Sequence, residues 1–202
     1  RALIFACLAD GESRVTGLLE GEDVLATLEA CRQLGLQARK SSDTWILQGV
    51  GRDGLRAPNA PLDMGNSGTA MRLLAGVLAA QPFDSVLIGD ESLSRRPMKR
   101  IVQPLTLMGA RIETDPDGTP PLRIHGNPAL EGIEYASPVA SAQVKSCLLL
   151  AGLYARGRTV VREPHLSRDH TERMLPAFGV ELAGDRAVTG GGRLQGAHVT
   201  VP

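Results

Sequence analysis

Met108-Gly109-Ala110-Arg111-Ile112 closes a helical pattern on a glycine and opens a strand pattern directly after it. The chain writes the same thing twice more, as Leu34-Gly35-Leu36-Gln37-Ala38 and as Phe178-Gly179-Val180-Glu181-Leu182. Glycine just past a run of helical periodicity is a stop signal, because it takes the left-handed conformation that ends a helix without a Cβ clash. Working outward from each mark gives one order of elements. An apolar helix comes first (Arg1–Ala9, Thr69–Ala80, Gln143–Leu153), then a strand (13–19, 85–89, 159–162). A second helix leads into the mark (Glu22–Leu34, Pro97–Met108, Asp169–Phe178), and a strand pair follows it (36–40 with 44–48, 110–114 with 122–125, 180–183 with 186–188). Pro104 is expected to kink or shorten the second helix of the middle stretch, and Pro97 suits a first helical position.

The period is ~70 residues, longer than solenoid repeats, so each copy is a whole βαβαββ-like unit. The units divide the chain at about 1–57, 58–130 and 131–202. The first helix of each copy is apolar all round, and such a helix belongs inside a domain. The fold class is therefore α/β, with helices packed inward and sheets outside.

Composition narrows the function classes. Hydrophobic residues make up 43% of the 202, yet there are only one Trp, two Tyr and three Phe. Leu, Val, Ile and Ala must build the core, and a stacking surface for single-stranded nucleic acid is not expected. Lys plus Arg number 22 and Asp plus Glu 22, so no global field draws nucleic acid or membrane. Anion affinity has to be local. Cys7, Cys31 and Cys147 sit in apolar helical patterns without metal spacing and read as reduced core residues of a cytosolic protein. No signal peptide or membrane-length apolar run is visible. The chain opens inside a helical pattern without an initiator Met, which reads as a piece of a longer protein.

Three stretches carry candidate chemistry. Gly65-Asn66-Ser67-Gly68-Thr69-Ala70-Met71-Arg72 puts glycines, hydroxyls and an amide at the mouth of an apolar helix. Bare N–H groups and the macrodipole favour an anion there, and Gly68 allows close approach. Ser67 or Thr69 is the N-cap. Arg95, Arg96, Lys99 and Arg100 crowd the loop into the next helix, and arginine pairs carboxylate or phosphate bidentately. Ala140-Ser141-Ala142-Gln143-Val144-Lys145-Ser146 stands in the third copy where the Gly-Asn-Ser-Gly-Thr turn stands in the second, and Ser167-Arg168-Asp169-His170 opens that copy's second helix. If the repeats pack with helices parallel, these mouths and Arg1 converge on one anionic ligand.

Leu62-Asp63-Met64-Gly65-Asn66-Ser67-Gly68-Thr69-Ala70-Met71-Arg72, Arg96-Pro97-Met98, Ala140 to Ser146 and Ser167-Arg168-Asp169-His170-Thr171-Glu172 together resemble the 5-enolpyruvylshikimate-3-phosphate synthase family, the 3-phosphoshikimate 1-carboxyvinyltransferases. The resemblance runs through the chain but corresponds to about half of a family member, the N-terminal-half globular domain. It implies an inside-out α/β domain of three βαβαββ units, with a second domain outside this sequence. The implied reaction moves the carboxyvinyl group of phosphoenolpyruvate onto the 5-hydroxyl of shikimate-3-phosphate. By the same resemblance Arg1, Ser141, Gln143 and Ser167, with the backbone at Ala142, hold shikimate-3-phosphate. Gly68, Arg96 and Gln143 surround phosphoenolpyruvate. The family uses no metal or other cofactor, works in the cytoplasm on the aromatic amino-acid route, and is inhibited by glyphosate. Its proton-transfer carboxylates and an essential Lys fall outside these residues, so no general acid or base is assigned and the isolated chain is expected to be inactive.

Some members carry Tyr where His170 stands, and some carry Pro where Leu73 stands. The sister UDP-N-acetylglucosamine enolpyruvyl transferases share the fold and the donor but usually carry a Cys in the loop matching Asp90–Arg96, which has none here. A non-catalytic phosphate-ester binding module is the reading from another class. An RNA-end cyclase relative is disfavoured by the balanced charge and the few aromatics.

Overall fold

The computed structural model describes residues 1–184 and 186–201; Asp185 and Pro202, counted in the third copy above, lie outside the described residues. The three glycine marks are three copies of one cap. Gly35, Gly109 and Gly179 take φ of +117°, +98° and +81°. The residue after each donates its N–H five positions back, Leu36 to Cys31 O, Ala110 to Leu105 O and Val180 to Leu175 O, all at 2.9 Å. With the glycine N–H bonded three positions back, each is a Schellman motif that satisfies carbonyls a helix end otherwise leaves open.

The helices are α1 (Ala2–Leu8), α2 (Glu22–Gln33), α3 (Gly68–Ala79), α4 (Lys99–Leu107), α5 (Ala142–Gly152) and α6 (His170–Ala177). Every residue of α1 is buried, as are ten residues of α3 and nine of α5. These three form the interior, as their unbroken apolar runs require. The backbones of α3 and α5 meet at Gly76, where a Cβ would fall inside the envelope of the Cys147 carbonyl oxygen.

Three sheets surround them. The first has the order β11-β1-β3-β2, with β1 (Glu12–Thr16), β2 (Gln37–Ser41), β3 (Thr44–Gln48) and β11 (His198–Thr200). The second is β4-β5-β7-β6, with β4 (Leu62–Asp63), β5 (Ser85–Ile88), β6 (Arg111–Glu113) and β7 (Leu122–His125). The third is β10-β9-β8, with β8 (Glu134–Ala136), β9 (Arg158–Arg162) and β10 (Ala187–Thr189). Each sheet contains one parallel pair: Leu62 beside Leu87, Tyr135 beside Val161, and Val199 beside Val15. In the second and third sheets the parallel strands flank a buried helix, the β4-α3-β5 and β8-α5-β9 crossovers. In the first, α1 leads into β1 and the parallel partner arrives as β11. The fold is an inside-out α/β arrangement of three repeats.

Several expectations need correction. Val180–Ala183 forms no strand: among the described residues one backbone bond, Ala183 N–H to Ala187 O at 3.0 Å, joins it to β10, and Gly184 takes φ +63°. The strand expected over 13–19 stops at Thr16, because Gly17 turns with φ +72°. Pro97 is not in α4, whose N-cap is Met98, and Pro104 lies inside the helix. The short strands β4, β8 and β11 had no counterpart in the periodicity. No helix among the described residues is long and apolar enough to cross a membrane.

Candidate functional site at the helix N-termini

Ser67 caps α3, its Oγ accepting the Ala70 N–H at 3.2 Å, and Ser141 caps α5 the same way from Val144 N–H at 3.4 Å. The two caps face each other through Gln143. Its Nε2 donates to Thr69 Oγ1 at 2.8 Å, and its Oε1 accepts from Arg72 Nη1 at 2.8 Å. Arg72 also donates to Pro97 O at 3.3 Å, tying the α4 entry to both caps.

Arg96 is held at the same mouth. Its Nη2 donates to Asn66 Oδ1 at 2.6 Å, and Asn66 Nδ2 donates to Asp90 Oδ2 at 2.8 Å. Asp90 is kept below the usual aspartate range by the Leu93 N–H first and the Asn66 amide second. Gly68 lies under both arginines: a Cβ there would stand 2.9 Å from Arg72 Nη1 and 3.1 Å from Arg96 Nη1. Its φ is not left-handed, so the glycine serves space and not a turn. The Arg72 guanidinium is pushed down from its usual value, by burial first and then by the Arg96 and Arg100 charges. An anion placed among these cations relieves that repulsion.

Beside this arginine pair opens a cavity of about 530 Å³. Arg1, Ser141, Ala142, Gln143 and Ser167 all line it, with Thr69 and Arg168. Gly68 and Arg96 do not; they adjoin it through Arg72 and Gln143. Arg1 is aimed by Thr171 Oγ1, at 3.2 Å from its Nε, and by Ser146 Oγ, at 3.4 Å from its Nη2. Burial lowers its pKa, Glu172 opposes that, and Arg168 adds to it. His170 is exposed at the first position of α6 and does not line the cavity.

Beneath the cavity lies a buried ionic cluster that periodicity and motif spacing left unmarked. Lys145, 1% exposed, stands between two carboxylates: Glu163 Oε2 at 3.0 Å and Glu172 Oε1 at 2.6 Å. Glu163 also accepts the Ser141 N–H at 2.8 Å and the Ser167 hydroxyl at 2.7 and 2.9 Å. Burial raises its pKa, but the Ser167, Lys145 and Ser141 donors together outweigh burial and hold it below the glutamate range. Among the described residues no three His, Cys, Asp or Glu side chains gather as a metal site requires.

The family described as EPSP synthase (3-phosphoshikimate 1-carboxyvinyltransferase) matches residues 1–202. The chain belongs to the EPSP synthase family. It is 61% identical to the 3-phosphoshikimate 1-carboxyvinyltransferase of Xanthomonas campestris pv. campestris (strain B100), over all of this chain and 47% of that protein. The Xylella fastidiosa (strain 9a5c) protein of the same name is 59% identical, again over all of this chain and 45% of its own length. A solved EPSP synthase structure from Acinetobacter baumannii superposes with a TM-score of 0.96 at 53% identity, covering 100% of this chain and 46% of that one. The chain thus spans about half the length of the EPSP synthases it matches.

Proposed function

We propose that the chain supplies one half of an active site that transfers the carboxyvinyl group of phosphoenolpyruvate to the 5-hydroxyl of shikimate-3-phosphate, releasing phosphate, with a second domain closing over it. The carrying observation is that Arg1, Ser141, Gln143 and Ser167, from three separate elements, line one cavity with two capped helix N-termini at its edge. In this reading the cavity holds shikimate-3-phosphate: Ser141, Ser167 and the backbone at Ala142 take the phosphate, and Arg1 lines the same cavity. Phosphoenolpyruvate lies over Gly68 against Arg96, and Gln143 touches both ligands. Helix N-termini and guanidinium groups favour the dianions without any global positive charge. The site needs no metal or other cofactor in this reading. The three free, buried cysteines fit a reducing cytoplasm.

Among the described residues neither a carboxylate nor a histidine lines the cavity, and in this reading the acid–base chemistry falls to the second domain. Calorimetric titration of the chain with shikimate-3-phosphate tests the reading. Saturable binding that Ser141→Ala weakens supports it, and binding no tighter than to inorganic phosphate overturns it. A phosphate-release assay with both substrates is expected to stay at background on the chain alone.

A further inference from the structure

Every group facing the Glu163 carboxylate is a donor: the Ser141 N–H, the Ser167 hydroxyl, the Lys145 ammonium and the Arg186 guanidinium, the last at 3.4 Å. The Glu163 side chain is fully buried, while Arg186 at its edge is 27% exposed. Ser141 belongs to the α5 mouth and Ser167 to the β9–α6 connection, two rims of the cavity. Among the described residues, Glu163 is the one group bonded to both.

We infer that Glu163 is a positioning residue for the anion cavity: its carboxylate fixes the separation of the Ser141 and Ser167 rims, and Lys145 neutralises it so that an anion can enter above. The inference rests on the reading of the cavity as the shikimate-3-phosphate site. An acceptor-only group suits the place. A glutamine has the same shape, but its amide nitrogen must face either the Ser141 N–H or the Lys145 ammonium, and neither can accept. With the nitrogen toward Ser141 the α5 rim is pushed away; with it toward Lys145 the ammonium and the Arg186 guanidinium lose their acceptor and their charge partner. Two charges would otherwise work against the site. Glu163 and Glu172 are both buried close to where the anion binds, and Lys145 between them together with Arg186 cancels both. The arrangement leaves Ser141 its own hydroxyl proton for the ligand, because its Oγ only accepts from Val144 N–H.

The test is a double-mutant cycle read as the Kd for shikimate-3-phosphate, measured by calorimetry on the chain, with the melting temperature of each variant recorded. Glu163→Gln alone is expected to weaken binding about tenfold, whereas in a Ser167→Ala background the same change is expected to weaken it less than about threefold, since coupled neighbours are non-additive. Equal loss in both backgrounds, or loss that simply follows the melting temperature, makes Glu163 a fold residue and overturns the inference. If Glu163→Gln does not fold, Glu163→Asp carries the test: it stays acceptor-only but is one methylene shorter, so it is expected to fold and to bind more weakly. Wild-type affinity in Glu163→Asp overturns the inference and leaves the reading of the cavity standing. A wild-type chain that binds no shikimate-3-phosphate overturns both.

Discussion

Arg72 of α3 donates to Gln143 of α5 at 2.8 Å, and this one bond joins the arginine pair over Gly68 to the neighbouring cavity. Gln143 is bonded on both sides of its amide, so it is the residue through which the two proposed ligand positions are mechanically linked. Gln143→Ala is expected to weaken shikimate-3-phosphate binding by about 1.5–3 kcal/mol, the range for a bond to a charged group. Calorimetry on the chain checks it. An unchanged affinity would mean Thr69 and Arg72 hold their places unaided.

Arg96 is half-buried at the mouth, and among the described residues its side chain is bonded to Asn66 and Ser92. In a full-length enzyme carrying this chain, Arg96→Ala is expected to lower kcat/KM for phosphoenolpyruvate by at least about tenfold, for a charge-assisted contact worth ~1.5–3 kcal/mol. The melting temperature should hold. Early melting with normal kinetics would make Arg96 structural.

Gly68→Ala adds a methyl against two guanidinium ends, both of them flexible. The arginines swing aside, the helix start is unstrained, and the melting temperature is expected to stay level or rise slightly. Anion binding over the helix mouth should fall, more for the longer glyphosate than for compact phosphoenolpyruvate, because the methyl takes space a longer anion needs and the displaced arginines leave the positions that face it. Comparing the inhibition constant for glyphosate with KM for phosphoenolpyruvate decides this, and equal losses would reject it.

Lys145→Met leaves Glu163 and Glu172 buried without their shared cation. Removing one partner of a buried pair costs on the order of 3–5 kcal/mol. Chemical denaturation should show a loss of that size, and adding Glu163→Gln should return part of it. A neutral Lys145→Met would show that water reaches the cluster.

The lowered pKa of Glu163 gives a pH dependence. Its contribution to stability is complete above the ordinary glutamate value of 4.5 and is lost as pH falls through the lower value it has when folded. Wild type is therefore expected to lose melting temperature below that pH more steeply than Glu163→Gln. Parallel curves would count against it.

The fold was legible wherever a local rule fixed the backbone. The glycine marks at 35, 109 and 179 are written in composition, and the apolar runs of α1, α3 and α5 admit no exposed face. The strands β4, β8 and β11 were not legible, because two or three residues carry no periodicity. Val180–Ala183 looked like a strand because its alternation is real, but Gly184 decides its path. In the site, capping serines and arginines announced themselves by type and place. Glu163 did not: its role exists only because β9 delivers it beneath two serines that sequence alone sets four and 22 positions away. Gly68 was legible as a small residue but not its reason, which is the pair of guanidinium groups above it.

The pairing of β11 with β1 has a consequence for synthesis. On the ribosome β1, β2 and β3 emerge before β11; β2 and β3 can close as a hairpin, and β1 then pairs with the other edge of β3. The outer edge of β1 must wait for His198, Val199 and Thr200. Until then it offers a row of free N–H and C=O groups to any other nascent chain, the situation in which edge strands misassociate. The middle sheet has no such wait, because β4 precedes its partner β5. The β1 edge is thus sealed only after β2 through β10 have been made, and crowded expression should expose that order as aggregation nucleated at residues 12–16.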